Sequence, residues 1–143
     1  MGLFNFFKKK PQNSDEARLN FLNSIISKYF EGSKQKWLDE ASHLLEITKF
    51  DITTEEMATL ILRCLGFRQL KGGDWNETTA RALRNDCSGK LPDVELRWLL
   101  VYCDVHYINK DPELEALVLF EQAGRQIGMP SPTGDISPTY KFK

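Results

Sequence analysis

A chain of 143 residues with 41% hydrophobic and 27% charged residues has the size and composition of one globular domain. Its formal net charge of -1 argues against a general polyanion binder. No apolar run approaches the roughly 20 residues of a membrane-spanning helix, and three widely spaced cysteines suit neither a disulfide framework nor a zinc ribbon. We therefore expect a cytoplasmic protein without metal or cofactor.

Residues 1–13 are set apart from the rest of the chain as an N-terminal amphipathic arm. Four apolar residues come first, namely Leu3, Phe4, Phe6 and Phe7. Three lysines and Pro11 follow them. Apolar insertion beside a basic patch is typical of peripheral membrane binding. The alternative, which we prefer, is that these aromatic side chains dock on the protein's own surface or on a partner protein.

Helix-capping residues and apolar stripes predict a helical domain over residues 14–128. Six residues are placed to begin a helix: Ser14, Ser33, Thr53, Asp74 or Asn76, and Asp111. Four glycines are placed to end one: Gly32, Gly66, Gly89 and Gly128. The last helix is expected to bury Leu114, Leu117, Val118 and Ile127.

The most apolar segment predicts the centre of the fold. From Leu96 to Ile108, ten of thirteen positions are apolar or aromatic, and a helix that is apolar nearly all round is buried. We therefore predict an all-α fold, a compact single-domain bundle of five to seven helices with its central helix near residues 92–108. Residues 129–143 contain three prolines and no helical period, which predicts a mobile C-terminal tail.

Asp104 interrupts this apolar segment and is the carboxylate of most interest. Burying a carboxylate is costly unless a partner compensates it, so pairing with Arg81, Arg84 or a helix end is expected. A metal-dependent enzyme centred on Asp104 and His106 is an alternative. The spacing of the potential metal ligands supports neither a di-iron nor a zinc site, and we predict no metal ligands and no catalytic residues. The potential ligands are Glu40, His43, Cys64, Cys87, Cys103 and His106.

The charges are unevenly distributed along the chain. Residues 63–90 hold six basic and three acidic groups, whereas residues 91–122 hold seven acidic and two basic ones. Arg68, Lys71 and Trp75 could together hold a phosphate and stack a base. However, the sequence pI of about 6.1 makes nucleic acid an unlikely partner. The basic stretch could equally complement the acidic one, within the molecule or across a dimer.

Residues 99–129 resemble the helical hairpin of tellurite-resistance TerB-like domains, in which a helix ends in an acidic turn and another begins with acidic residues. The resemblance covers about a fifth of the chain. The Ala-Asp-Gly turn of that pattern is absent, and Asp104, Val105 and His106 stand in its place. The resemblance implies a stress-response helical domain, but we neither assign the chain to the family nor transfer its metal-binding acids.

We predict a non-catalytic, bacterial-type protein that works by binding another protein. An immunity or inhibitor protein that neutralises a cognate toxin through an acidic surface is the specific form of this prediction, because acidic surfaces speed the capture of basic toxin domains. The expected surface consists of Asp93, Glu95, Asp111, Glu113, Glu115 and Glu121. The alternative is a peripheral membrane or stress-response domain that uses the N-terminal arm for weak membrane contact.

Overall fold

The computed structural model describes residues 14–69, 74–129 and 135–142. These residues form six helical segments and no strand, so the predicted all-α bundle is confirmed. The N-terminal arm and Lys71 lie outside the described residues. The segments are α1 (Ser14–Thr48), α2 (Thr54–Gln69), α3 (Glu77–Asp86), α4 (Asp93–Cys103), a π-helical turn (Asp104–Ile108) and α5 (Pro112–Gln126).

The predicted break at Gly32 and Ser33 is a kink within α1 and not a loop. Ser33 leaves the helical conformation, with φ -143° and ψ 29°, while the helix continues on both sides of it. Serine is a common residue at a helix start, which explains why the sequence predicted two helices. The two predicted helices therefore join directly.

Helix α2 begins with the predicted capping box. The Thr53 backbone N–H donates to Glu56 Oε1 at 2.9 Å, and the Glu56 N–H donates to Thr53 Oγ1 at 3.0 Å. The bond from the Thr53 backbone lowers the pKa of Glu56. The predicted end at Gly66 is wrong, because α2 continues to Gln69. A Cβ at Gly66 would overlap Leu22 Cδ2, so this glycine permits the close approach of α1 and α2.

The starts and ends of the later helices agree with the sequence. Asn76 Oδ1 accepts from the Thr79 N–H at 2.9 Å, and Asp111 Oδ1 accepts from the Leu114 N–H at 3.1 Å. Gly89 and Gly128 follow α3 and α5 with φ of 71° and 72°, a backbone conformation that favours glycine.

Helix α4 lies at the centre of the bundle, in contact with α2, α3 and α5, as predicted for residues 92–108. Trp98 is completely buried, and its indole N–H donates to the Val118 carbonyl oxygen at 2.8 Å, which ties α4 to α5. The prediction that Ile127 lies on the inward face of α5 is wrong, because Ile127 is exposed. Ile127 follows the last residue of the helix and lies on its outer side.

Residues 135–142 form a C-terminal segment that packs against the bundle, in contrast to the mobile tail that the prolines predicted. Ser137 is buried, and Ile136, Tyr140 and Phe142 pack against the main core. The lack of a helical period indicates only that the backbone of this segment is not helical. The apolar side chains determine where the segment lies. Their burial offsets the entropy lost on ordering the segment.

Gly66→Ala and Gly32→Ala make the same change at two helical sites with different surroundings. We expect Gly32→Ala to raise the free energy of unfolding by about 0.5–1 kcal/mol, because a Cβ there meets nothing within 4 Å. Gly66→Ala should lower it by about 1–2 kcal/mol, because buried Leu22 must move. Urea unfolding measures both changes. Equal stabilisation by the two variants would show that the α1–α2 contact does not need glycine.

Candidate functional site

The π-helical turn that follows α4 brings together the polar groups of the candidate site. The Asn109 N–H donates to the Asp104 carbonyl oxygen at 2.8 Å, five residues back, which widens the helix by one residue. The Asn109 side chain then donates to Asp104 Oδ2 at 3.0 Å. Single π-helical turns of this kind are frequent at functional sites.

Asp104 is the centre of a buried polar cluster, with 1% of its surface exposed. Its Oδ1 accepts from Arg68 Nε at 3.0 Å, and its Oδ2 accepts from the Tyr140 hydroxyl at 2.6 Å as well as from Asn109. Asp104 therefore has partners that offset the cost of burying its charge. The cationic partner is Arg68 of α2, and the expected Arg81 and Arg84 are not involved.

This cluster connects three parts of the fold. Arg68 is itself buried and donates also to exposed Asp74 at 3.1 Å. Burial, followed by the bond to Asp104, raises the pKa of Tyr140, so its hydroxyl keeps the proton that it donates. Both carboxylate oxygens of Asp104 accept hydrogen bonds, so this group ties α2, the π-helical turn and the C-terminal segment together.

Glu121 forms a second buried carboxylate cluster, with 1% of its surface exposed. Its Oε1 accepts from the backbone N–H groups of Ile136 and Ser137 at 2.7 and 2.9 Å. Its Oε2 accepts from the Ser137 hydroxyl and from Arg125 Nη1. Burial opposes ionisation, but these hydrogen bonds outweigh it and lower the pKa of Glu121. Glu121 thus anchors the start of the C-terminal segment to α5.

His106 has a different partner from Asp104. Its Nδ1 lies 2.8 Å from Glu115 Oε1, and its ring stacks on Tyr102 with centroids 5.1 Å apart. Asp104 and His106, the two residues of the enzyme hypothesis, therefore have different hydrogen-bond partners.

The six acids of the predicted partner surface do not form one open acidic face. Asp93 pairs with Arg84 at 2.7 Å and Glu95 pairs with Arg125 at 2.6 Å. Glu121 is buried and Glu115 is bound to His106, as described above. Asp111 and Glu113 are exposed, and neither forms an ion pair within the residues that the structure describes.

The basic stretch is neutralised in the same way. Arg63 donates to Asp86 at 2.8 Å inside the bundle, and Lys90 lies 3.1 Å from Glu56. The Arg68–Asp104 and Arg84–Asp93 pairs join the basic stretch to the acidic one within one molecule. Most of the cations that suggested a nucleic-acid surface are therefore compensated by carboxylates.

The open cavities on the described surface include the following two. One, of about 590 Å³, has a mainly apolar lining that includes Phe50, Leu91 and Val94. The other, of about 360 Å³, is lined by Asp74, Trp75, Arg97, Tyr140, Lys141 and Phe142. Trp75, predicted as a secondary candidate, is half-buried in this second cavity. Tyr140 connects the cavity to the Asp104 cluster.

Other features of the described residues concern metals, thiols and membranes. Within residues 14–69, 74–129 and 135–142, no three His, Cys, Asp or Glu side chains are grouped so that they could share a metal ion. The cysteines are free and buried, and burial raises the pKa of Cys64. None of the helices over these same ranges combines the length and the apolar character needed to cross a bilayer.

Comparison of the chain with known protein families, with curated proteins and with solved structures finds no match. The likeness of residues 99–129 to TerB-like domains therefore stands on that sequence pattern alone.

Sequence reasoning did not find the residues that complete the site. Ser137, Tyr140 and Phe142 were not predicted, because residues 129–143 were expected to form a mobile tail. Arg97 of α4 was not predicted either. A signal was present in α5, where Glu121 lies one helical turn from Val118 and from Arg125 and therefore shares their face. The other signal was the presence of Ile136, Tyr140 and Phe142 in the tail, since these apolar side chains favour packing against the bundle.

The pH dependence of stability tests the role of Glu121. Its folded-state pKa lies below the value of roughly 4.3 expected for an unfolded chain, so its stabilisation is complete above that pH and is lost as the pH falls further. We expect Glu121→Gln to lower Tm at pH 7 and to reduce the loss of Tm between pH 5 and about pH 3. Thermal unfolding followed by circular dichroism measures both effects. An acid-induced loss of the same size in both proteins would contradict the assignment.

Proposed function

We propose that this domain is a non-catalytic protein-binding protein whose contact surface is the outer face of α5. The observation that carries the proposal is a group of exposed apolar side chains: Phe120, Ile127 and Met129 are 63%, 70% and 61% exposed. Single exposed apolar residues are ordinary, but large ones that are grouped together are typical of interaction sites.

The spacing of these residues gives the surface its shape. Ala116, Phe120, Ala123 and Ile127 are exposed and follow each other at intervals of four, three and four residues, so they form one stripe along α5 and its C-cap residue. Small alanines alternate with the two large side chains, which leaves room for a partner to approach the backbone. We name these four residues the α5 stripe. Helix-in-groove recognition uses anchors at this spacing.

The charges beside the stripe indicate the chemistry of the partner. Exposed Asp111 and Glu113 lie at the start of α5, beyond Ala116. A partner that complements this surface presents an apolar patch with basic groups at one end. This acidic end is what supports the more specific proposal of an immunity or inhibitor protein that acts in the cytoplasm on a basic toxin domain, since it would steer such a partner. Free, buried cysteines suit a reducing compartment.

Site-specific crosslinking tests this proposal in cells that make the protein. A photo-reactive phenylalanine analogue replaces Phe120, or replaces Phe21 of α1 as the matched control, because Phe21 is also exposed. We expect position 120 to capture one protein that position 21 does not capture. That protein is then purified, and its Kd for the wild-type domain is compared with its Kd for Phe120→Ala, Ile127→Ala and Phe21→Ala.

The two α5 substitutions should each weaken binding by about tenfold or more, as for anchors at the centre of an interface, and Phe21→Ala should leave it unchanged. Three results would contradict the proposal. They are the absence of a specific crosslink at position 120, capture of only a second copy of this chain, and a Kd that is insensitive to both α5 substitutions.

A further inference from the structure

The smaller cavity, of about 360 Å³, lies on a different part of the molecule from the α5 stripe. Asp74 and Trp75 from the start of α3, Arg97 from α4 and the last residues of the C-terminal segment line it. Small-molecule sites in proteins usually measure about 300–1,000 Å³. The cavity is therefore large enough for a small ligand but not for a folded partner.

Three of the six residues that line this cavity are aromatic. Trp75, Tyr140 and Phe142 are half-buried, so each ring is held in place while part of its surface stays open. The rings of Tyr140 and Phe142 pack edge to face at 5.0 Å, and the Arg68 guanidinium lies 4.5 Å from the Phe142 ring centre. Fixed aromatic rings of this kind stack on planar ring systems with little loss of entropy.

Two cations in the cavity lack a carboxylate partner among the described residues. Arg97 Nε donates to the Ser137 carbonyl oxygen at 2.8 Å, which orients the guanidinium, and its terminal nitrogens donate to no described protein group. Lys141 is exposed and forms no ion pair within the same part of the chain. The one acid in the lining, Asp74, is bound to Arg68. A half-buried, oriented guanidinium with free donors suits a phosphate group.

The rest of the surface argues for a single nucleotide and not for a nucleic-acid strand. A strand requires a continuous track of cations for its phosphates. Of the cations in the basic stretch, Arg63, Arg84 and Lys90 are already bound to carboxylates. A single nucleotide, by contrast, has one base to stack on the aromatic side chains of the cavity and one phosphate to bind its two cations.

We propose that this cavity binds a nucleoside monophosphate, with its base against Trp75 and the aromatic rings of the C-terminal segment and its phosphate on Arg97 and Lys141. The proposal is independent of the α5 stripe. The Asp104 cluster supports the site indirectly, because the Tyr140 hydroxyl that it holds positions one wall of the cavity.

Titrations of the full-length protein with AMP, with adenosine and with inorganic phosphate test this site by calorimetry and tryptophan fluorescence. Trp37 and Trp98 are buried, so quenching reports mainly on Trp75. We expect AMP to bind and to quench, and adenosine and phosphate each to bind about tenfold or more weakly, because each makes only half of the contacts.

Substitutions then assign the roles of the residues. Arg97→Gln and Lys141→Gln should each weaken AMP binding, by about tenfold for Arg97, and should leave the weaker binding of adenosine unchanged. Arg81→Gln, at an exposed site on α3 outside the cavity, is the matched control and should change nothing. Lys141 is exposed, so its variant remains informative even if the Arg97 variant unfolds. AMP binding no tighter than that of phosphate, or unaffected by both substitutions, would overturn the proposal.

Discussion

The ion pair between Asp104 and Arg68 is the interaction on which the rest of the structure depends. Asp104 is 1% exposed and the Arg68 side chain is 5% exposed, so both charges have left water at considerable cost. That cost is offset only because Asn109 and Tyr140 also donate to the carboxylate. The cluster therefore requires α2, the π-helical turn and the C-terminal segment to be in place together.

Glu121 extends the same principle to the other side of the segment. It accepts hydrogen bonds from the start of the C-terminal segment, while Asp104 accepts one near its end. Two buried carboxylates thus hold a stretch that has no helix of its own. Two surface features follow from this. The C-terminal segment forms one wall of the smaller cavity, and Glu121 holds the inner face of α5 against the bundle. The α5 stripe is consequently left outward.

Sequence patterns predicted the features that depend on near neighbours. The Thr53–Glu56 box and the caps at Asn76 and Asp111 each involve residues three positions apart, and local chemistry decides them. The need of Asp104 for a partner was also predictable, because the cost of burying a charge does not depend on topology. The identity of that partner was not predictable, because Arg68 lies 36 residues away and meets Asp104 only through the packing of α2 on α4.

The candidate site was less predictable than the fold for the same reason. Glu121 was expected on an acidic surface, although its position beside Val118 places it on the buried face. Gly66 was expected to end a helix, since no local pattern indicates that Leu22 of another helix lies against it. In both cases a long-range contact outweighed a local preference. In the same way, charges that are clustered along the chain form ion pairs within the folded molecule.

A double-mutant cycle on Arg68 and Asp104, followed by urea unfolding, tests the central claim most directly. Arg68→Met leaves the Asp104 carboxylate without its cation, and Asp104→Ala leaves the Arg68 guanidinium without its buried carboxylate. Each single variant should lose about 3–5 kcal/mol of unfolding free energy. The double variant removes both charges and should lose clearly less than the sum of the two single losses. Losses that add to within about 0.5 kcal/mol would show that the two residues do not depend on each other, and would contradict this account.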